Sequence, residues 1–403
     1  MSISLKKISK ININNGRKTQ KVSSSYNMVD MKLKMRLQEH YSKIKLGNYL
    51  EYVNKLVECK YSNKYVKYCT NLCIINVNID SKLSKYKYDI INRKKLPNDS
   101  RIIIIDKLFI NIMNWCKKTS DVYMINTAIF IWISDRFIWD VENIDVKMPI
   151  CLYACPRDKN YILIPDSTFI AQSTSSRYAK TGLTWEQQKR LFTSDIKDKH
   201  NIFFRGADTT YDTHNLRRYI FNRLKSETDN LFKNEMIYDF LTGENYESVA
   251  AFKKYKFMLN LPGHYPWSTR LKYLYLGRQY VINVRVFTYL TDGTMDDHYN
   301  SFVDYLVPDT NCINIDMKYY MVGSSESVDK HKYADKQNMH ECNMVYDKIK
   351  RIYYKYKNKQ PSVDAKVRKS YELINKLSTE NIYKYYLQIA QFNQELGITT
   401  VNL

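Results

Sequence analysis

From Trp185 onward the chain repeats one unit, a strand, a loop and a helix, and this repetition constrains the fold more than any other feature. Residues 186–192 read as a helix, and 201–204 as a short apolar strand ended by Arg205 and Gly206. Asp212 or Thr213 then stands as an N-cap before Leu216, Tyr219, Ile220 and Leu224, which share one helical face. Residues 248–255 read as a helix, and 256–261 as a strand broken by Pro262 and Gly263. Ser268 or Thr269 caps a further helix that runs to Leu276 and stops at Gly277. Residues 280–286 form another strand. Repeated units of this kind imply a parallel sheet.

Upstream, residues 128–133 read as a buried strand with Ser134, Asp135 and Arg136 at its end, and 149–153 and 161–164 as two more strands. Between Met31 and about Cys116 apolar residues recur without a clear period. Downstream, Met344, Val345, Ile349, Ile352 and Tyr353 share a helical face, and Pro361 interrupts. Val367, Tyr371, Ile374 and Leu377 mark a second helix, and residues 382–392 a third. Their aromatic stripes read as packing faces. Residues 1–30 are rich in Ser, Asn and Lys, lack apolar periodicity and read as a flexible basic arm. At 403 residues the chain exceeds the usual span of one domain.

Hydrophobic residues make up 44% of the chain, which excludes a fully disordered protein. Net charge is +22, so nucleic acid, anionic lipid and phosphorylated ligands all enter as partner classes. The basic residues are scattered, and the 36 Tyr with abundant Lys, Asn and Ile point to AT-rich coding DNA; solvated surface charge is the reading adopted. No apolar run is long enough to span a membrane, and residues 1–21 lack the apolar core of a signal peptide. A cytoplasmic location is therefore expected, with host cytoplasm or virion as the variants if the source is viral. The eight Cys are then expected as thiols. Cys69 with Cys73, Cys151 with Cys155, and His340 near Cys342 have spacings that zinc sites also use. The pairs lie far apart in sequence, and buried thiols are the reading preferred.

Ligands of open α/β sheets bind at the carboxyl ends of strands. Three such places carry suitable residues. The first is Arg205, Gly206, Ala207 and Thr209, where a glycine admits close backbone approach and a guanidinium forks onto a phosphate or sugar oxygen. The second is Gly263, Tyr265, Trp267, Ser268, Thr269 and Arg270, where hydroxyls, amides and a cation converge as a pyrophosphate requires. The third is Asp135, a carboxylate at a strand end, readable as a general base, a salt-bridge partner of Arg136 or a helix cap.

In order and spacing these segments resemble glycosyltransferase family 90, the protein O-glucosyltransferases and capsule-associated xylosyltransferases, across roughly residues 125–310. Phe204, Arg205 and Gly206, followed by Thr209, Asn215 and Arg217, resemble the family's Phe-Arg-Gly segment. Tyr255, Lys256, Phe257, Asn260, Gly263 and Arg270 resemble the segment that holds the diphosphate, and the stretch from Pro149 to Asp166 the strand pair between base and donor segments. The resemblance implies an α/β fold of GT-B type, two Rossmann-like domains facing a cleft, with C-terminal helices. It implies an inverting, metal-independent transfer from a UDP-sugar to a hydroxyl, with Asp135 as base. Ser175, Ser176, Arg177, Asn215 and Arg217 are further donor-side candidates. Two departures stand out: the family usually has its Arg before the Asp, and Ala207 replaces a Ser that often contacts the donor.

The domains expected are the arm at 1–30, an acceptor-side domain at 31–189, a UDP-sugar domain at 190–345, and helices at 346–403. The function expected is a UDP-glucose or UDP-xylose transferase acting on a protein or glycan hydroxyl. No cofactor or metal is expected, because no Asp-x-Asp motif occurs and Arg205 and Arg270 can stabilise the leaving diphosphate instead. Two rivals remain: a basic nucleic-acid-binding protein, for which no recognised motif is present, and a nucleotide-sugar binder without turnover. Asp140 and Asp166 are the next carboxylates should Asp135 not serve.

Overall fold

The structure, a computed structural model, describes residues 26–44, 72–96, 100–133, 148–156, 161–166, 169, 183–193, 197–207, 216–240, 249–263, 269–290, 295–322 and 326–402. The fold is mixed α/β with two sheets. The first contains β1 (Leu72–Asp80), β2 (Lys85–Ile90), β3 (Met124–Trp132), β4 (Ile150–Leu152) and, after the short β5 (Ala154–Pro156), β6 (Ile162–Leu163), in the spatial order β2-β1-β3-β4-β6. β1 is antiparallel to both β2 and β3, whereas β3, β4 and β6 run parallel.

The second sheet contains β7 (Lys199–Gly206), β8 (Met236–Phe240), β9 (Tyr255–Asn260), β10 (Tyr280–Leu290) and β12 (Ile313–Met321). All five are mutually parallel, in the spatial order β8-β7-β9-β10-β12. β11 (Met295–Ser301) folds back antiparallel on the far end of β10 and pairs with β5. The parallel sheet expected from the repeated units is thus present, in a doubly wound order.

The described helices are α1 (Tyr26–Lys43), α2 (Ser100–Cys116), α3 (Trp185–Phe192), α4 (Leu216–Lys225), α5 (Asn230–Glu235), α6 (Leu271–Leu276), α7 (Phe302–Leu306), α8 (Val328–Tyr356), α9 (Ala365–Lys376) and α10 (Thr379–Glu395). Several starts are written in the sequence: Thr184 with Gln187, and Ser378 with Asn381, form capping boxes for α3 and α10. The inner strands β3, β4 and β9 are buried on both faces, which explains their near-continuous apolar runs, whereas β2 and β12 at the sheet edges alternate. In β7, Ile202 and Phe204 enter one core with α4 and α8, while Phe203 enters another that also holds Ile75, Val77, Trp185 and Tyr385. Leu72, Ile74, Phe130 and Trp132 face a third cluster with Ile398 and Val401.

Four details differ from the sequence expectations. Residues 26–30 do not belong to the arm expected at 1–30, because α1 begins at Tyr26, Val29 is buried, and the Asp30 carboxylate accepts from Asn381 Nδ2 at 2.6 Å; residues 1–25 lie outside the described residues. The boundaries at 189/190 and 345/346 fall inside α3 and the 29-residue α8, each a continuous hydrogen-bonded rod. The helix expected at 248–255 is a 3₁₀ turn over Val249–Lys254, since Gln279 Nε2 captures the carbonyls of Phe252 and Tyr255 at 2.6 and 3.0 Å and the chain enters β9. Gly277 does end α6, but with φ −67°; Arg278 takes the left-handed conformation instead, at φ 53°. The glycine leaves room for the Gln279 amide, whose Oε1 a Cβ at this position would displace.

The last helix crosses to the first sheet. Asn393 Nδ2 donates to the Ala128 carbonyl at 2.8 Å, and Tyr385 Oη to the Leu163 carbonyl at 2.7 Å. The tail beyond α10 follows: Thr127 Oγ1 donates to the Ile398 carbonyl at 2.7 Å, and Asn76 exchanges two hydrogen bonds with Val401. Among the described residues no helix is long and apolar enough to cross a membrane.

Candidate functional site

In the second sheet the chain passes from β7 outward to β8, then returns to the other side of β7 to form β9 and proceeds to β10 and β12. The winding reverses between β7 and β9, and in open α/β sheets the place outside the carboxyl ends at such a reversal is where the ligand crevice lies. The residues at that point are Arg205, Gly206 and Ala207 after β7, and Leu261, Pro262 and Gly263 after β9. Two of the sequence-derived segments therefore meet, although some 55 residues separate them.

Two buried guanidiniums occupy this meeting place. Arg217, in the first turn of α4, donates through Nε to the Pro262 carbonyl at 3.0 Å, through Nη1 to the Ala207 carbonyl at 2.6 Å and through Nη2 to the Leu261 carbonyl at 3.5 Å. Arg270, immediately before α6, donates through Nε to Asn260 Oδ1 at 3.1 Å, through Nη1 to the Arg205 carbonyl at 3.1 Å and through Nη2 to the Leu261 carbonyl at 3.5 Å. Both lie over the Phe204 ring, with guanidinium carbons 5.4 and 4.9 Å from its centroid. Each cation thus fastens one strand end to the other, and their charge accumulates where the crevice opens.

Gly206 explains the close approach. A Cβ on it would stand 3.0 Å from the Phe204 ring, 3.3 Å from Arg217 Nη1 and 3.5 Å from Arg270 Nη1. Only a bare backbone fits between the ring and the two cations without displacing one.

A ladder of amides leads sideways from the crevice. Asn260, Asn283 and Asn314 stand in register on β9, β10 and β12. Asn260 Nδ2 donates to Asn283 Oδ1 at 2.8 Å, and Asn283 Nδ2 to Asn314 Oδ1 at 3.2 Å. The remaining Asn260 oxygen function holds Arg270 Nε. Buried amides in parallel strands require such partners. Asn283 and Asn314 were not singled out from sequence; the available signal was one Asn in each of three apolar strands.

Arg205 contributes its carbonyl to Arg270, but its own guanidinium lies over Phe203, 5.4 Å from the ring centroid. Alternation along β7 puts that ring on the face opposite Phe204. The structure therefore brings Gly206, Ala207, Gly263, Arg217 and Arg270 together and sets the Arg205 side chain apart from the two cations. Thr269 joins through its carbonyl, described next. Asp135, Ser175, Ser176, Arg177, Thr209, Asn215, Tyr265, Trp267 and Ser268 lie outside the described residues; so do Asp140 and the N-cap candidates Asp212 and Thr213.

Asp166, at the carboxyl end of the first sheet, is committed elsewhere. Its two oxygens accept from Lys272 Nζ at 2.7 and 3.0 Å, and the same ammonium donates to the Thr269 carbonyl at 2.9 Å. Lys272 is fully buried. Burial draws its pKa below the usual lysine value, against the pull of the Asp166 carboxylate. Both Asp166 oxygens thus face the Lys272 ammonium, whereas a substitute base would have to present one to an acceptor hydroxyl.

Cys73, Cys116, Cys151, Cys312 and Cys342 are free thiols. Burial pushes Cys73, Cys116 and Cys342 up to about 12, far from thiolate chemistry at neutral pH. Among the described residues no three His, Cys, Asp or Glu side chains gather as metal ligands would. No protein-family model matches the chain, and no curated protein matches it either.

Proposed function

We propose that the protein is a UDP-sugar-dependent glycosyltransferase of GT-B type, whose parallel second sheet binds the nucleotide. One observation carries the reading: Arg217 and Arg270 converge on the joined carboxyl ends of β7 and β9, at the reversal point of a doubly wound sheet. Nucleotides favour such crevices, and a diphosphate needs cations there. The likeness of the Phe204-Arg205-Gly206 and Asn260 to Arg270 segments to glycosyltransferase family 90 supports the same reading.

In the proposed reaction the acceptor hydroxyl loses its proton to Asp135 as it attacks the anomeric carbon. The bond from that carbon to the UDP oxygen breaks, and configuration inverts. The diphosphate gains charge as it leaves, and Arg217 and Arg270 stabilise that charge. The sequence has no Asp-x-Asp motif, so side-chain cations take the part that a metal plays in transferases that use one. UDP-glucose and UDP-xylose are the donors proposed, with a protein or glycan hydroxyl as acceptor.

A donor screen tests this. Hydrolysis of UDP-glucose, UDP-xylose and UDP-N-acetylglucosamine is followed by UDP release, beside calorimetry with UDP. Saturable UDP binding with release from one donor is the expected outcome. Binding without release from any donor would make the chain a nucleotide-sugar binder. Salt-dependent binding to DNA with no affinity for UDP would overturn the reading.

A further inference from the structure

We infer that Lys272 is a positioning residue of the crevice: held by Asp166 at the end of the first sheet, its buried ammonium fixes the turn from which Arg270 enters. The inference rests on the proposed anion site at Arg217 and Arg270. Residues two apart on a helical turn point roughly 200° from each other. Arg270 and Lys272 therefore leave the same turn on opposite sides, one toward β7 and β9, the other toward β6. The turn is gripped from both sheets.

The grip on the Lys272 side is complete. Its three donors meet three acceptors, both Asp166 oxygens and the Thr269 carbonyl. The ammonium also stands 4.3 Å from the Phe169 ring centroid and 5.0 Å from that of Tyr273. Phe169 in turn packs on Trp185 and Phe302, so the anchor is seated in the shared core. The helix has six residues, all buried, and no side chain caps it, so the two cations at its start supply the directed polar contacts there. A buried ion pair is not required for stability, since an apolar pair of equal volume often serves as well. What this pair adds is direction. The two Asp166 oxygens set the ammonium, the ammonium sets the Thr269 carbonyl, and the next residue is Arg270.

The test uses the full chain with Asp166→Asn and Lys272→Met together, which removes both charges and nearly preserves volume. Amide hydrogen exchange is first measured without ligand. Exchange across residues 269–277 is expected to quicken about tenfold or more, with β1 and β3 unchanged. Calorimetry with UDP follows. Affinity is expected to fall about tenfold, and the double variant is expected to cost nothing further once Arg270→Ala is present, since the two act through one contact. Unchanged exchange at 269–277 overturns the inference; so does a loss of affinity that is equally large with and without Arg270. If the double variant does not fold, Asp166→Glu replaces it, keeping both charges but moving the anchor by a methylene, with the same expected and contrary results. Failure of the unaltered chain to bind UDP would refute the nucleotide reading, and the exchange measurement would still decide the role of Lys272.

Discussion

Within each sheet the strands follow the order 2-1-3-4-5, yet the carboxyl ends of the first and third strands lie side by side in the second sheet alone. In the first sheet β1 runs against β3, so Asp80 at the end of β1 stands opposite Met124 at the start of β3. In the second, β7 and β9 run together, and Gly206 and Asn260 emerge on the same edge. Strand direction, rather than order, makes the crevice. The buried polar groups follow the same division. In the first sheet the buried Thr127 and the part-buried Asn76 dock the C-terminal tail, and the buried Asn393 docks α10. In the second, Arg217, Arg270 and Asn260 meet where β7 and β9 end, and Asn283 continues the group into β10. Both sheets use buried polar groups for assembly, Asn338 and Glu341 tying β12 to α8 in the second, but only the second adds the pair of guanidiniums where two parallel strands end together.

The sharpest way to break this division is to separate chemistry from binding. Asp135→Asn is expected to lower sugar transfer by about 10²–10⁴ while UDP affinity stays unchanged, because in the proposed reaction the base meets the acceptor and not the nucleotide. Steady-state rates beside calorimetry check it. Near-normal turnover would show that another carboxylate serves, with Asp140 the next to test. Loss of UDP binding as well would assign Asp135 a structural role.

Arg270→Ala is next in size. Losing a charge-assisted contact to a diphosphate costs about 1.5–3 kcal/mol, so UDP affinity is expected to fall by about one to two orders of magnitude. Thr127→Val, in the first sheet, is the matched control and is expected to leave UDP affinity alone. Equal losses from the two variants would erase the contrast between the sheets.

Gly206→Ala sharpens the comparison at the level of packing. The new methyl would press on the Phe204 ring at 3.0 Å and on Arg217 at 3.3 Å. Overpacking of this kind costs about 1–3 kcal/mol, read as a lowered denaturation midpoint, with UDP affinity falling as the cations are displaced. A protein as stable and as tight as the original would show that the crevice has slack.

The smallest effect concerns acid. Asp229 caps α5 and accepts from Tyr354 Oη at 2.7 Å, with Lys350 beside it, and these contacts draw its carboxyl down to about 2. A carboxyl lowered on folding contributes stability above its unfolded pKa, near 4, and loses it as pH falls toward 2. The attachment of α8 to α5 should therefore weaken across that window, and Asp229→Asn should flatten this part of the pH profile in thermal melts. An unchanged profile would remove Asp229 from the acid response.

The parallel sheet is legible in the sequence because residues 201–204, 256–261 and 280–286 are apolar runs separated by caps and breakers. β2 is hard to recognise because it has no aliphatic residue before Ile90: Lys85, Tyr86, Lys87 and Tyr88 alternate with a period of two, but on a strand whose Tyr side chains are only half-buried. The site is legible in part. Arg205, Gly206, Gly263 and Arg270 stand at strand ends, where chemistry is sought first. The burial of Arg217 is not visible, since an arginine in a first helical turn usually faces water; its partners Leu261 and Pro262 lie about 45 residues away. The amide ladder is hidden for the same reason, because only strand register aligns Asn260, Asn283 and Asn314. Lys272 reads as a surface residue until the first sheet supplies Asp166.

Amide hydrogen exchange of the full, chelator-treated chain, with and without saturating UDP, tests the central claim most directly. The expected result is UDP-dependent protection at residues 203–207 and 259–263 and in the first turns of α4 and α6, with β1 and β3 unaffected. Protection that appears only after Mn²⁺ or Mg²⁺ is restored would contradict the metal-free site. Absence of protection, or protection confined to the first sheet, would contradict the assignment of the nucleotide to the β7–β9 crevice.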